Sequence, residues 1–109
     1  MVTVTFRRDS RNRLSSVFAD GHAGAAAHGE DVVCAAVSAI LQAAWVGLTD
    51  HAGIAVEGER RGGRLAMRWP DATRDRADVR AIVATAELAI GQIAAQSPAW
   101  VCVRSEQET

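Results

Sequence analysis

The chain has 109 residues, of which 49% are hydrophobic, with a net charge of −1. That is the size of one domain with one core, and 1–109 is read as a single domain. The near-neutral balance offers no electrostatic footprint for nucleic acid or for an anionic membrane. All twelve basic residues are arginine, a coding bias that carries no mechanism.

Val2, Val4 and Phe6 alternate with threonines, the period of a half-buried strand. Asp9 to Asn12 has turn composition, and Leu14 to Asp20 reads as a second strand hairpinned to the first. Ala23 to Gly29 is a loop of small side chains. Asp31 to Val46 then reads as a buried helix, apolar almost all round, with the anions Glu30 and Asp31 at the end where the macrodipole favours them and Gly47 as its stop. Ile54 to Glu57 reads as a short strand, Gly58 to Gly63 as a turn, and Leu65 to Trp69 as a strand pairing back, ended by Pro70. Val79, Ile82, Val83, Ala86, Ile90 and Ile93 recur at helical spacing within a second helix over Asp75 to Ala95. Ser97-Pro98 breaks it, Trp100 to Arg104 is a last strand, and Ser105 to Thr109 is a polar tail. The order β-β-α-β-β-α-β predicts an α+β fold, a mixed or antiparallel sheet with two helices packed on it.

The start, MVTVTFRRD, has no apolar region behind a basic one, so no signal peptide is expected. Val32 to Leu48, the longest apolar run, is too short and too mixed for a membrane span. Cys34 and Cys102 form no CxxC and no metal-ligand pattern, so both are expected as free thiols in a cytoplasmic protein, with no metal and no cofactor.

Chemistry concentrates in Gly21 to Ile40, GHAGAAAHGEDVVCAAVSAI. If the helix begins near Asp31, Cys34 lies in its first turn, where unpaired N–H groups and the dipole lower a thiol pKa. His22, at the end of the preceding strand, is placed to act as its base. Asp31 and Ser38, at i−3 and i+4, share the helix face of Cys34. Asp31 could cap the helix or orient His22, although a carboxylate there also raises the thiol pKa, and Ser38 could bond back to the Cys34 carbonyl. First-turn N–H groups are the expected oxyanion hole. The alternative is an inert helix cysteine in the core, since cysteine is among the most buried residue types. His28 reads as a solvated loop histidine, with joining the site as the alternative, and His51 as a turn residue. Cys102 and the tryptophans Trp45, Trp69 and Trp100 read as packing or interface residues. Arg60, Arg61, Arg74 and Arg76 read as solvated turns.

Gly21, His22, Ala23 and Gly24, then Gly29, then Asp31 through Ser38 resemble the signature of the ribosomal-processing cysteine protease family, Prp. The resemblance implies an endopeptidase with Cys34 as nucleophile and His22 as general base and acid, while Asp31 and Ser38 are supporting candidates by their helical spacing. It implies a substrate loop containing Gly21, Ala23, Gly24 and Gly29. It further implies homodimers and a ribosomal protein precursor as partner, the twenty-seventh protein of the large subunit, whose N-terminal extension is removed. A non-catalytic ribosome-associated or assembly factor, or a cysteine hydrolase with another protein substrate, would share the same residues.

Overall fold

The structure is a computed structural model that describes residues 1–21 and 28–108, the side chain of His28 excepted. Strands β1 (Val2–Arg8), β2 (Leu14–Asp20), β3 (Glu57–Arg61), β4 (Arg64–Arg68) and β5 (Val101–Gln107) form one sheet in the order β3-β4-β2-β1-β5. Every pairing is antiparallel except that of β1 with β5, which is parallel. Helices α1 (His28–Val46) and α2 (Ala77–Gln96) complete the α+β architecture that the sequence predicts.

Period-two alternation puts Val2, Val4 and Phe6 of β1 on one face, in register with Val17 and Ala19 of β2, Leu65 and Met67 of β4 and Val101 of β5. Cys34, Val37, Leu41 and Ala44 of α1, and Val79, Val83, Ala86 and Ile90 of α2, join them in one buried cluster. Cys102 stands on the opposite face beside Thr3. The two thiols are therefore separated by the sheet, and both are free.

Several sequence boundaries move, each for a physical reason. The third strand, β3, runs over Glu57–Arg61 rather than Ile54 to Glu57, because it is an edge strand exposed along its whole length and shows no alternation to read. Its turn is only Gly62-Gly63, both at positive φ, the two-residue geometry that favours glycine in a hairpin. Gly58 allows close approach, since a Cβ there would meet the Ala66 carbonyl oxygen at 2.2 Å and the Trp45 ring at 2.7 Å. Strand β5 extends through the polar residues to Gln107 because β1 offers a full parallel ladder, Phe6 facing Ser105 and Arg8 facing Gln107.

Gly47 does not end the first helix. A π-helical turn, Gly47–His51, follows α1 directly, with the Ala52 N–H donating to the Gly47 carbonyl at 2.9 Å. A Cβ at Gly47 would make ordinary van der Waals contact with Ile82 of α2. With this turn, Gly29–His51 is long and apolar enough to cross a membrane by length and composition. The expectation from the sequence was a segment too short for that. Here its stripe from Cys34 through Leu41 to Leu48 is buried in the core cluster.

Arg74 is no solvated turn residue: it is 5% exposed. Its guanidinium donates to Asp9 Oδ2 at 3.0 Å and to the Trp69 carbonyl at 2.8 and 3.1 Å. Asp9, also buried, accepts from the backbone N–H groups of Arg11 and Arg13 and from the Arg13 side chain. Burial pushes the Asp9 carboxyl up, but these bonds outweigh it and hold the group well below the usual carboxylate range. The β1–β2 turn is thereby tied to the segment entering α2.

Candidate active site

Helix α1 begins at His28, three residues earlier than its sequence suggests. Glu30 and Asp31 therefore sit inside the first turn, and Cys34 is the seventh helical residue, in the second turn. The Cys34 N–H belongs to the regular i→i−4 ladder, and the unpaired N–H groups end before Val32. First-turn activation of the thiol, an oxyanion hole at the Cys34 N–H and an N-cap role for Asp31 are thus all displaced by the longer helix.

Gly29, assigned from the sequence to the substrate loop, also lies in that first turn. A Cβ there would meet the Trp100 ring at 2.7 Å, so this glycine seats the helix start on an indole. Gly21 ends β2 at φ +104°, where a Cβ would meet the Met1 carbonyl oxygen at 2.3 Å. His22, Ala23 and Gly24 lie outside the described residues.

Cys34 is 4% exposed, packed in the core cluster at the edge of a cleft of about 410 Å³. One wall of the cleft is the α1 face Cys34, Val37, Ser38 and Leu41. Val2 and Ala19 contribute from the sheet, and the β3–β4 hairpin forms the opposite wall. Asp20, the last residue of β2 and two positions before His22 in the sequence, lines the same cleft.

Burial pushes the Cys34 thiol above its ordinary value of 9.0 and Glu30 pushes it further; the amino terminus pulls it back by less than Glu30 pushes, and Asp31 adds the smallest upward push. Glu30 itself accepts a 2.7 Å bond from the Met1 ammonium. The described surroundings thus favour the neutral thiol, the reverse of the sequence expectation, and a thiolate requires a base from outside them. In a His22→Ala variant, iodoacetamide should modify Cys34 more slowly than Cys102 at pH 7, with a rate that climbs through a midpoint above pH 9. A midpoint below pH 8 in that variant would contradict this electrostatic assignment.

Ser38 does not make the expected bond to the Cys34 carbonyl. Its Oγ accepts from Gln42 Nε2 at 2.7 Å, and Gln42 Oε1 accepts from Arg60 Nη1 at 2.7 Å. Asp31 Oδ1 is buried without a hydrogen-bond partner among the described residues. No group of three or more histidine, cysteine, aspartate or glutamate side chains suited to a metal occurs among the described residues. Arg60 and Arg61 are exposed, as their sequence suggests, but they stand on strand β3 rather than in a turn, and with Arg64 of β4 they line the cleft. Only a correct placement of β3 in the sequence could have revealed this.

SMU.848 from Streptococcus mutans is 26% identical, with 99% of this chain and 96% of that one covered and a TM-score of 0.84. The S. aureus ribosomal processing protease Prp, solved with a substrate peptide, is 21% identical over 96% of this chain and 99% of that one, with a TM-score of 0.87. The same protease with a covalently linked product peptide gives 21% identity, the same coverage and a TM-score of 0.83. A comparison with curated protein sequences gives no match. The family model of the cysteine protease Prp matches residues 1–101. This chain belongs to the Prp family of cysteine proteases.

Proposed function

We propose that the protein is an endopeptidase that removes the N-terminal extension of a ribosomal protein precursor, with Cys34 as nucleophile and His22 as general base and acid. The observation that carries this reading is the position of a free, core-packed thiol on the wall of a cleft that could hold an extended peptide. The likeness in fold to a ribosomal processing protease solved with a substrate peptide supports the peptide ligand. The rim position of Asp20, two residues before His22, supports the pairing of histidine and thiol. Asp31 positions His22 through the carboxylate oxygen that has no partner among the described residues.

His22 takes the thiol proton as the sulfur attacks the scissile carbonyl carbon. The tetrahedral intermediate collapses to a thioester as the C–N bond breaks, and His22 returns the proton to the leaving amine. Water, deprotonated by His22, adds to the thioester. The new acid leaves and the thiolate recovers the proton. The protein works in the cytoplasm, in keeping with its two unpaired thiols. It acts as a homodimer, supported by an open apolar groove between α1 and α2 lined by Ile40 and Ile82.

The test is incubation of purified protein with the extended form of the twenty-seventh large-subunit protein, followed by intact mass measurement. A single cut that releases the extension is the expected result. A precursor left whole under conditions where other proteins are cut would replace this substrate, and no cleavage of any protein would remove the proteolytic reading.

A further inference from the structure

Among the described residues that line the Cys34 cleft, Arg60 is the one charged side chain on the sheet face toward the helices. It pairs in register with the buried Leu65, whereas Arg61 pairs with Arg64, and Asp20 follows the buried Ala19, so these three stand on the opposite face. Arg60 Nη1 donates to Gln42 Oε1, and Gln42 Nε2 donates to Ser38 Oγ, both at 2.7 Å. Gln42, Ser38 and Cys34 are spaced one helical turn apart on α1, so this chain of bonds runs down the helix toward the thiol. Its polarity is forced. A guanidinium has donors only, so the amide must turn its oxygen to Arg60 and its N–H to Ser38. The Ser38 oxygen is then an acceptor, and its single proton must go elsewhere. A helical hydroxyl commonly returns its proton to the carbonyl four residues back, as Thr85 does to Ala81. Ser38 makes no such bond, and its hydroxyl donates to no acceptor among the described residues. Ser38 lines the cleft beside Cys34 and Val37. An unspent donor on that wall fits a peptide carbonyl oxygen, the acceptor that every residue of an extended chain carries.

We propose that Arg60 and Gln42 are positioning residues that hold the Ser38 hydroxyl as a hydrogen-bond donor to a carbonyl oxygen of the bound peptide. This deepens the proteolytic reading and rests on it for the peptide as ligand. Arg60 and Gln42 act without touching the peptide. They remove the alternative in which Ser38 spends its proton on the amide oxygen, and the charged first link polarises the second. Gln42→Glu reverses the device. A carboxylate keeps the size of the side chain and its bond to Arg60 but has no N–H, so Ser38 must donate to it and has nothing left for the peptide.

The experiment uses a capped fluorescent peptide that spans the junction between the extension and the mature twenty-seventh large-subunit protein. Its binding to full-length protein carrying Cys34→Ala is followed by anisotropy, and its cleavage by protein that keeps Cys34 is followed separately. Gln42→Glu should weaken binding about five- to tenfold, the worth of one hydrogen bond, with a melting temperature no lower than that of its parent. Ser38→Ala should weaken binding to the same extent, and adding Gln42→Glu to Ser38→Ala should weaken it no further. A direct effect of the new charge or of a changed cleft shape would persist in that double variant. Arg60→Ala frees the amide to turn and should weaken binding about two- to threefold, whereas Arg60→Lys, again a donor only, should restore most of the loss. Unchanged binding in Gln42→Glu, an effect of Gln42→Glu that persists with Ser38→Ala, or no binding of the peptide at all would overturn the donor role. Binding that follows the expected pattern without cleavage by protein that keeps Cys34 would count against the proteolytic chemistry alone.

Discussion

Replacing Cys34 with alanine should lower peptide cleavage by about 10⁴-fold or more, to the level of the uncatalysed background. The loss should be chemical and not structural. Cys34 is small, and its removal from the core cluster deletes one sulfur from a wall that already borders a cleft. Such a change costs about 1 kcal/mol, a shift in melting temperature of a few degrees. A folded Cys34→Ala protein with no activity is therefore expected, and Cys34→Ser should behave in the same way because a hydroxyl is a far weaker acid than a thiol. Cys102→Ala, on the opposite face of the sheet, should leave cleavage unchanged. Retention of cleavage by Cys34→Ala would move the nucleophile elsewhere.

The largest effect on stability is expected at Arg74. Changing it to alanine leaves the Trp69 carbonyl without the donor that meets it twice and leaves Asp9 with only the β1–β2 turn to balance its charge. Truncating one member of a buried ion pair is among the most costly single substitutions, and a loss of at least about 10 °C in melting temperature is expected. The pH dependence has a definite sign. The folded Asp9 carboxyl is depressed, so its contribution is fully present above the ordinary carboxylate value of 3.8 and is lost as the pH falls below that toward its folded value. Unfolding as a function of acid should therefore be shallower in Asp9→Asn, which has no proton to take up there. A melting temperature within 2 or 3 °C of the parent protein for Arg74→Ala would show that the clamp is not structural.

The architecture was legible because its main signals are periodic. Val2, Val4 and Phe6 alternate, and Val79 through Ile93 recur at helical spacing, so both elements announce the face they bury. The edge strand β3 was not legible, since Glu57 to Arg61 buries nothing and its pairing with β4 is backbone chemistry that leaves no side-chain pattern. Tertiary context also decided the start of α1. Gly29 looks like a loop residue until Trp100, distant in sequence, is found against it. The same is true of Arg74, whose partner Asp9 is contributed by the first hairpin. Within the site, Cys34 and Ser38 were recognisable from their spacing on one helix face. The thiol's electrostatics were not, because three extra residues of helix moved it from the first turn to the second. The arginine lining was missed for the reason that β3 was missed.

The most direct test of the assignment of Cys34 is covalent trapping. An electrophilic peptide, such as a chloromethyl ketone built on a cleaved sequence, should abolish activity with one equivalent bound. Peptide mapping should find the label on Cys34 alone, with none on Cys102 and no uptake by Cys34→Ala. Label on Cys102, or full activity in protein labelled stoichiometrically at Cys34, would contradict the placement of the nucleophile in the α1 cleft.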